Sequence, residues 1–468
     1  MRPNGYVTRR CAPFAKLSRW ACRLACLATL CAWSAASADE GPAFLGAERC
    51  IDCHTQPSPL RKEDGSTARV TLTEAHTWLK IDKHSLAFRS LESDDSKAIG
   101  KRLGIGVTRD RRCLSCHAGW STEMGPPPRA DLGVSCEACH GPSSLYDVPH
   151  TAPEWRNRTP DEAATGMVDV RNPRRRAEQC LSCHLGNVAE EKVLTHDMYA
   201  AGHPPLAGFE LESYAQVMPP HWRPSPIARR DELADVKSVV IGGVVGWREA
   251  VRLYRDRPAT AAGWPDFARY DCSTCHHELE RPSWRQERAG RPGQLLAPVW
   301  PSVLAELGLR HAARCDGAAV RPLRREVEQG LAALGPAGGG AAAKGLLDRL
   351  DELLKILDGC TYDEAAASAL LRDICEWGQR RDLDFDSARQ LGWAFLVIDR
   401  AANGELPEQR RADRLGELRS VLSLRLPATR EEEILAPSHQ RAMFDAIGAY
   451  QPSAVNARFA ALADALAP

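Results

Sequence analysis

The sequence predicts a mainly α-helical protein in two parts. A loop-rich N-terminal region is organised around a repeated five-residue pattern, and a helical region without that pattern follows it. Three observations predict this. Five copies of C-x-x-C-H fall between residues 50 and 276, and none comes after. The segments between the copies are rich in Gly, Pro and charged residues, which favour turns over long helices. Beyond Pro292 the composition turns to Leu, Ala, Arg and Glu with a period of about 3.6 residues.

In chain order, residues 1–38 come first. They carry Arg2, Arg9, Arg10, Lys16, Arg19 and Arg23 and no acidic residue. Behind them LACLATLCAWSAASA is apolar and ends in Ala36-Ser37-Ala38. A basic start, an apolar middle and a small-x-small exit make a secretory signal peptide, with cleavage expected before Asp39. The apolar run of about fifteen residues is short of the ~20 that span a bilayer, so no transmembrane segment is expected after cleavage. Lys+Arg and Asp+Glu balance at 61 each in the 468-residue chain; losing the six basic residues leaves a mildly acidic net of −6. No basic stripe with interleaved aromatics occurs, which argues against a nucleic-acid partner.

The repeats are CIDCH (Cys50, Cys53, His54), CLSCH (Cys113, Cys116, His117), CEACH (Cys136, Cys139, His140), CLSCH again (Cys180, Cys183, His184) and CSTCH (Cys272, Cys275, His276). Composition alone gives roughly 0.02 chance matches, against the five present. Two thiols three residues apart on one helical turn suit thioether bonds to the two vinyl groups of a haem, and the adjacent histidine then lies under the iron. Zinc would need four ligands and no histidine at a fixed offset five times over. The pattern therefore predicts five covalently bound haems c. Two motifs begin only 23 residues apart, at 113 and 136, so their haems must lie close together.

A six-coordinate iron needs a second axial ligand, usually His or Met. Nine histidines remain after the proximal five. His84 sits in KHSLAFRSL, where Leu86, Phe88 and Leu91 offer an apolar wall; His76, eight residues earlier, points elsewhere on a helix. His150 ends the Gly/Pro/Ser loop CHGPSSLYDVPH, and His221 follows two prolines in MPPHW. His196 and His203 lie in THDMYAAGHPPL, seven residues apart, a spacing that suits two neighbouring irons better than one. These five (His84, His150, His196, His203 and His221) are the candidate distal ligands, and the sequence leaves open which haem each one caps. Met198 reads as packing. His277 follows a proximal ligand and points away from that iron, which leaves it as a propionate partner or a surface residue. His311 and His439 read as surface or capping residues.

The long gap before the fifth motif contains VKSVVIGGVVGWREAVRLYRD, whose second half reads as helix while VVIGGVV is ambiguous between strand and buried helix. The expected division is residues 39–290 as a pentahaem domain, with the porphyrins forming much of its core, and 291–468 as a helical domain. In the latter, KGLLDRLDELLKILDG lines Leu346, Leu350, Leu353, Leu354 and Leu357 along one face. Thr361 and Glu364 match a capping box, and DSARQLGWAFLVIDRAANG and 407–424 read as further helices. GPAGGG at 335–340 reads as a flexible connection. Among the last three cysteines, Cys360 and Cys375 are too far apart along a helix to bond; Cys315 could join either, leaving one thiol.

CEACHG at 136–141, AGHP at 201–204 and WPDFARYDCSTCHHEL at 264–279 resemble the multihaem c-type cytochromes. In particular they resemble those related to the tetrahaem electron acceptor of hydroxylamine oxidoreductase and its larger relatives. The resemblance covers roughly residues 45–280. It implies a helical, loop-rich domain with closely stacked haems, bis-histidine ligation at most irons and electron transfer in the periplasm. It also implies that His203 is a distal ligand, with His84 and His150 in similar places. The chain departs from that pattern in its fifth motif and its long haem-free tail. The expected function is electron carriage to redox partner proteins or a membrane-associated electron-transfer complex. The alternative is an oxidoreductase acting on a small nitrogen or oxygen species at one five-coordinate iron. No C-x-x-C-K variant of the kind nitrite-reducing relatives use is present.

Overall fold

The computed structural model describes residues 41–466 except 56–70, 120–128, 153, 156–161, 222–232, 257–265, 289–295, 334–339, 381–382, 404–408 and 425–444. The expected signal peptide, residues 335–339 of the GPAGGG connection and His439 lie outside the described residues. Among those described the secondary structure is helical, with one isolated bridge between Asn187 and Lys192 and no sheet. No described helix is long and apolar enough to cross a membrane.

Four of the five C-x-x-C-H motifs sit on or at the end of a short helix. The first lies on α1 (Ala47–Ile51), the second on α2 (Arg111–His117), the third on α3 (Cys136–His140) and the fourth on α4 (Pro173–His184). Local sequence starts these helices. Asp110 caps α2 by accepting from Arg112 N, and Asn172 caps α4 by accepting from Arg174 N. Pro173 occupies the first turn of α4, where its missing N–H costs nothing. Next come α5 (His196–Ala200), capped by Thr195, and α6 (Leu211–Val217), capped by Glu210. The fifth motif follows as a 3-10 turn at Cys272–Thr274, with Asp271 accepting from Ser273 N.

The ambiguous VVIGGVV lies within one buried helix, α7 (Ala234–Arg255). Its β-branched residues alone favour strand, but the glycine pair needs close helix–helix contact. A Cβ on Gly242 would meet Leu211 Cβ at 2.8 Å, and one on Gly243 would meet Leu304 Cβ at 2.4 Å. Helix α7 is therefore clamped between α6 and the next long helix, α8 (Trp300–Cys315). The remainder is a helical stack: α9 (Gly317–Ala333), α10 (Gly340–Asp358), α11 (Glu364–Gly378), α12 (Phe385–Asn403), α13 (Gln409–Val421) and α14 (Pro452–Leu466).

Two expectations change. The cap of α11 is Asp363, which accepts from Ala366 N, rather than Thr361; a carboxylate one turn before Ala366 satisfies the helix start without a capping box. His311 is buried, 3% exposed, against the Tyr362 ring at 4.8 Å. The α8 face that carries it packs inward. Cys315 and Cys360 form a disulfide, and Cys375 is a buried free thiol.

One hydrophobic cluster runs from Ala177 and Leu181 on α4, through α7, to Leu462 on α14, so it continues across residue 290. A half-buried ionic network centred on the buried Arg248 follows the same path. Arg248 on α7 pairs with Glu178 on α4 and with Asp351 on α10 at 3.1 Å, and Arg174 reaches Asp351 at 2.6 Å. By contrast, the second described cluster is small, centred on Leu91, Val107 and Leu114 around the second motif.

Candidate haem-ligand site

The ten histidines read as axial ligands come together in five pairs. His54 faces His150 with ring centroids 6.2 Å apart. His117 faces His203 at 6.4 Å, His140 faces His221 at 6.4 Å, and His184 faces His84 at 6.5 Å. His276 faces His196, also at 6.4 Å. Each pair joins one motif histidine to one histidine from outside the motifs. Neither His76, which is exposed, nor His277, whose Nδ1 meets its neighbour's carbonyl, enters such a pair among the described residues.

The width of these pairs is chemically informative. Two metal–imidazole bonds of about 2 Å each, plus the half-widths of two rings, sum to about 6 Å. Direct aromatic pairs span about 4.5–7 Å, so it is the joining of every motif histidine to one outside the motifs, more than the width, that points to an iron. An iron between each pair fits this separation.

Ring orientation points the same way. A ligating imidazole binds through one nitrogen and donates its other N–H to a fixed acceptor. His54 Nδ1 donates to Glu74 Oε2 at 2.9 Å, and His84 Nδ1 to Asp82 Oδ1 at 2.9 Å. His117 Nδ1 meets the Ala87 carbonyl at 2.9 Å, His150 Nδ1 the Tyr146 carbonyl at 2.8 Å, and His203 Nδ1 the Pro204 carbonyl at 2.7 Å. In each of these rings Nδ1 is the nitrogen held by the protein, which is the arrangement that ligation through Nε2 would need. Burial pushes His140 and His184 down to about 4, so both are neutral at pH 7, the metal-binding form.

Neighbouring elements hold these rings. His184 stacks on Phe209 at 5.0 Å and meets Tyr214 at 5.4 Å; Tyr214 in turn contacts Trp393 of α12 at 5.7 Å. The helical tail thus reaches the fourth motif through one aromatic side chain. His196 opens α5, and His203 follows it, placed by Gly202 at φ 110° and by its N–H to the Met198 carbonyl. One short helix thereby serves two motifs, the second and the fifth. Met198 is buried as packing.

The motifs also touch one another. The Cys50 thiol meets Cys136, and Cys116 meets Cys183, which brings the first motif against the third and the second against the fourth. Glu137, inside CEACH, is buried; its carboxylate accepts from the amides of Leu45, Gly46 and Ser143 and from the Ser143 hydroxyl. It ties α3 to the start of α1. Sequence reasoning passed over Glu74, Asp82 and Glu137. Only Asp82 had a local signal, since an Asp two residues before His84 can accept from the His84 N–H, as it does at 2.9 Å.

Outside these pairs, His311, Cys315 and Cys360 cluster within 4.8 Å, but the two sulfurs are bonded to each other.

Five C-x-x-C-H motifs with paired histidines are the features of a c-type cytochrome. Residues 49–141 match the family model described as cytochrome c554 and c-prime. Cytochrome c-554 of Nitrosomonas europaea is 26% identical over 140 residues, covering 28% of this chain and 52% of that protein. The N-terminal part of the chain is thus distantly homologous to the cytochrome c554 family, and the chain spans about half the length of the curated relative it matches. No solved structure matched the chain.

Proposed function

We propose that the chain is an exported, periplasmic electron carrier holding five haems c, each iron capped by a histidine pair. The observation that carries this reading is the set of five ring pairs at 6.2–6.5 Å, one for every motif. Cys50 and Cys53, Cys113 and Cys116, Cys136 and Cys139, Cys180 and Cys183, and Cys272 and Cys275 supply the thioethers. His54, His117, His140, His184 and His276 are the proximal ligands; His150, His203, His221, His84 and His196 respectively are the distal ones. When bound, the haems supply reversible one-electron chemistry. The polypeptide contributes spacing, ligand identity and a largely apolar surround. A histidine pair at every motif would leave no iron position for a substrate, which favours carriage over catalysis at an open iron. Electrons would pass to and from redox proteins or a membrane-associated complex, with α8–α14 as the part free of haem chemistry. Low-temperature EPR of the oxidised protein, with haem counted by the pyridine haemochrome assay, tests this. Five haems per chain and only low-spin signals are expected; a high-spin axial signal in the intact protein, or a count well below five, overturns it.

A further inference from the structure

The fixed acceptors behind the paired rings are of two chemical kinds. Ala87, Tyr146 and Pro204 offer neutral carbonyls to His117, His150 and His203. Glu74 and Asp82 instead offer carboxylates to His54 and His84, both at 2.9 Å.

Both carboxylates are held rigidly. The other oxygen of Glu74 accepts from Thr71 N at 2.6 Å, Thr71 Oγ1 at 2.8 Å and Leu72 N at 3.2 Å. Asp82 is 5% exposed, and its Oδ1 also takes the His84 N–H at 2.9 Å. Neither residue can swing away from its ring without leaving backbone amides unsatisfied. A carboxylate behind a ligating imidazole makes that imidazole a stronger donor. It also places a negative charge close to the metal, where low dielectric strengthens its effect. Both effects favour the more highly charged oxidised iron.

We propose that Glu74 and Asp82 are potential-setting residues: through His54 and His84 they hold the irons of the first and fourth motifs at lower reduction potential than that of the second. Around the second motif, His117 Nδ1 meets the Ala87 carbonyl and the Ser90 hydroxyl, and His203 Nδ1 the Pro204 carbonyl; among the described residues these partners are neutral. The two carboxylates reach opposite sides of the ligand sets, Glu74 behind a proximal histidine and Asp82 behind a distal one. This inference rests on the ligation proposed above.

The test compares mature full-length protein with E74Q and D82N, substitutions that keep shape and an acceptor oxygen but remove the charge. Each protein is titrated potentiometrically with dithionite and one-electron mediators, haem absorbance being the readout, and EPR and the haem count are recorded in parallel. In each variant about one-fifth of the haem absorbance should move to higher potential, by at least tenfold in its reduction equilibrium, about 59 mV for one electron. The low-spin spectrum and the haem count should stay as in the unsubstituted protein. Superimposable titrations from five-haem, low-spin variants overturn the proposal. A high-spin signal or missing haem in the unsubstituted protein overturns the ligation reading instead, so the two failures differ. Should E74Q mature with fewer haems, D82N decides alone, because Asp82 holds no loop amide beyond His84 N.

Discussion

His203 stands among the candidate distal ligands of the sequence and His76 does not, and their surroundings differ as well. His203 is fixed by its bond to the Pro204 carbonyl and faces His117, whereas His76 is exposed. H203A should therefore leave one iron five-coordinate, giving a high-spin EPR signal from about one-fifth of the haem, while H76A should leave the spectrum unchanged. A low-spin spectrum for H203A would show that its ring is not a ligand. The ten paired residues were legible because C-x-x-C-H is so specific and the histidine supply so small. Their pairing was not. His84 lies before the second motif yet faces the histidine of the fourth, and His196 lies just after the fourth yet faces that of the fifth. Loops between motifs decide those partners, and loop paths leave little trace in local pattern. The carboxylates behind His54 and His84 were hidden for the same reason, Glu74 more than Asp82, since its partner lies twenty residues away.

Helix α7 shows how an element can be undecided locally and fixed by its neighbours. Its Val-rich centre offered no period to choose by, and the decision came from packing against Leu211 and Leu304, invisible in a window of a few residues. The same contacts make its glycines unequal. G243A would drive a methyl to 2.4 Å from Leu304 Cβ and should cost about 1–3 kcal/mol. G246A meets nothing nearer than Leu181 Cδ1 at 4.0 Å and should gain about 0.5–1 kcal/mol from helix propensity. Thermal unfolding followed by circular dichroism would separate them; equal effects would mean that α6 and α8 do not clamp this helix. The helices α10 and α12 were readable because their apolar faces repeat over several turns, while the cap of α11 was misread by two residues, the usual weakness of helix boundaries.

At the scale of the molecule, cysteine use divides the chain by chemistry. Ten cysteines lie in the motifs, Cys315 and Cys360 are joined, and Cys375 is free and buried. The denatured mature protein should thus present one reactive thiol before reduction and three after it; any larger number marks motifs without thioethers. Replacing Cys315 and Cys360 with serine should cost about 4 kcal/mol, the loop-closure value for the 45 residues they span, measurable as a lower midpoint in guanidinium. The histidine pairs carry a related consequence. His54–His150, His84–His184, His117–His203, His140–His221 and His196–His276 are separated by 96, 100, 86, 81 and 80 residues. Each begins before the previous one has ended, so under the proposed ligation the five irons act as overlapping cross-links, each closing a long loop in the unfolded chain. Loosening one of the three middle links leaves both its ends inside neighbouring loops, whereas His54 and His276 lie outside every other loop. The stretch before α4, whose described apolar cluster centres on Leu91, Val107 and Leu114, would then be held in shape by interlocked metal clasps, as a chain-mail weave holds without a solid plate.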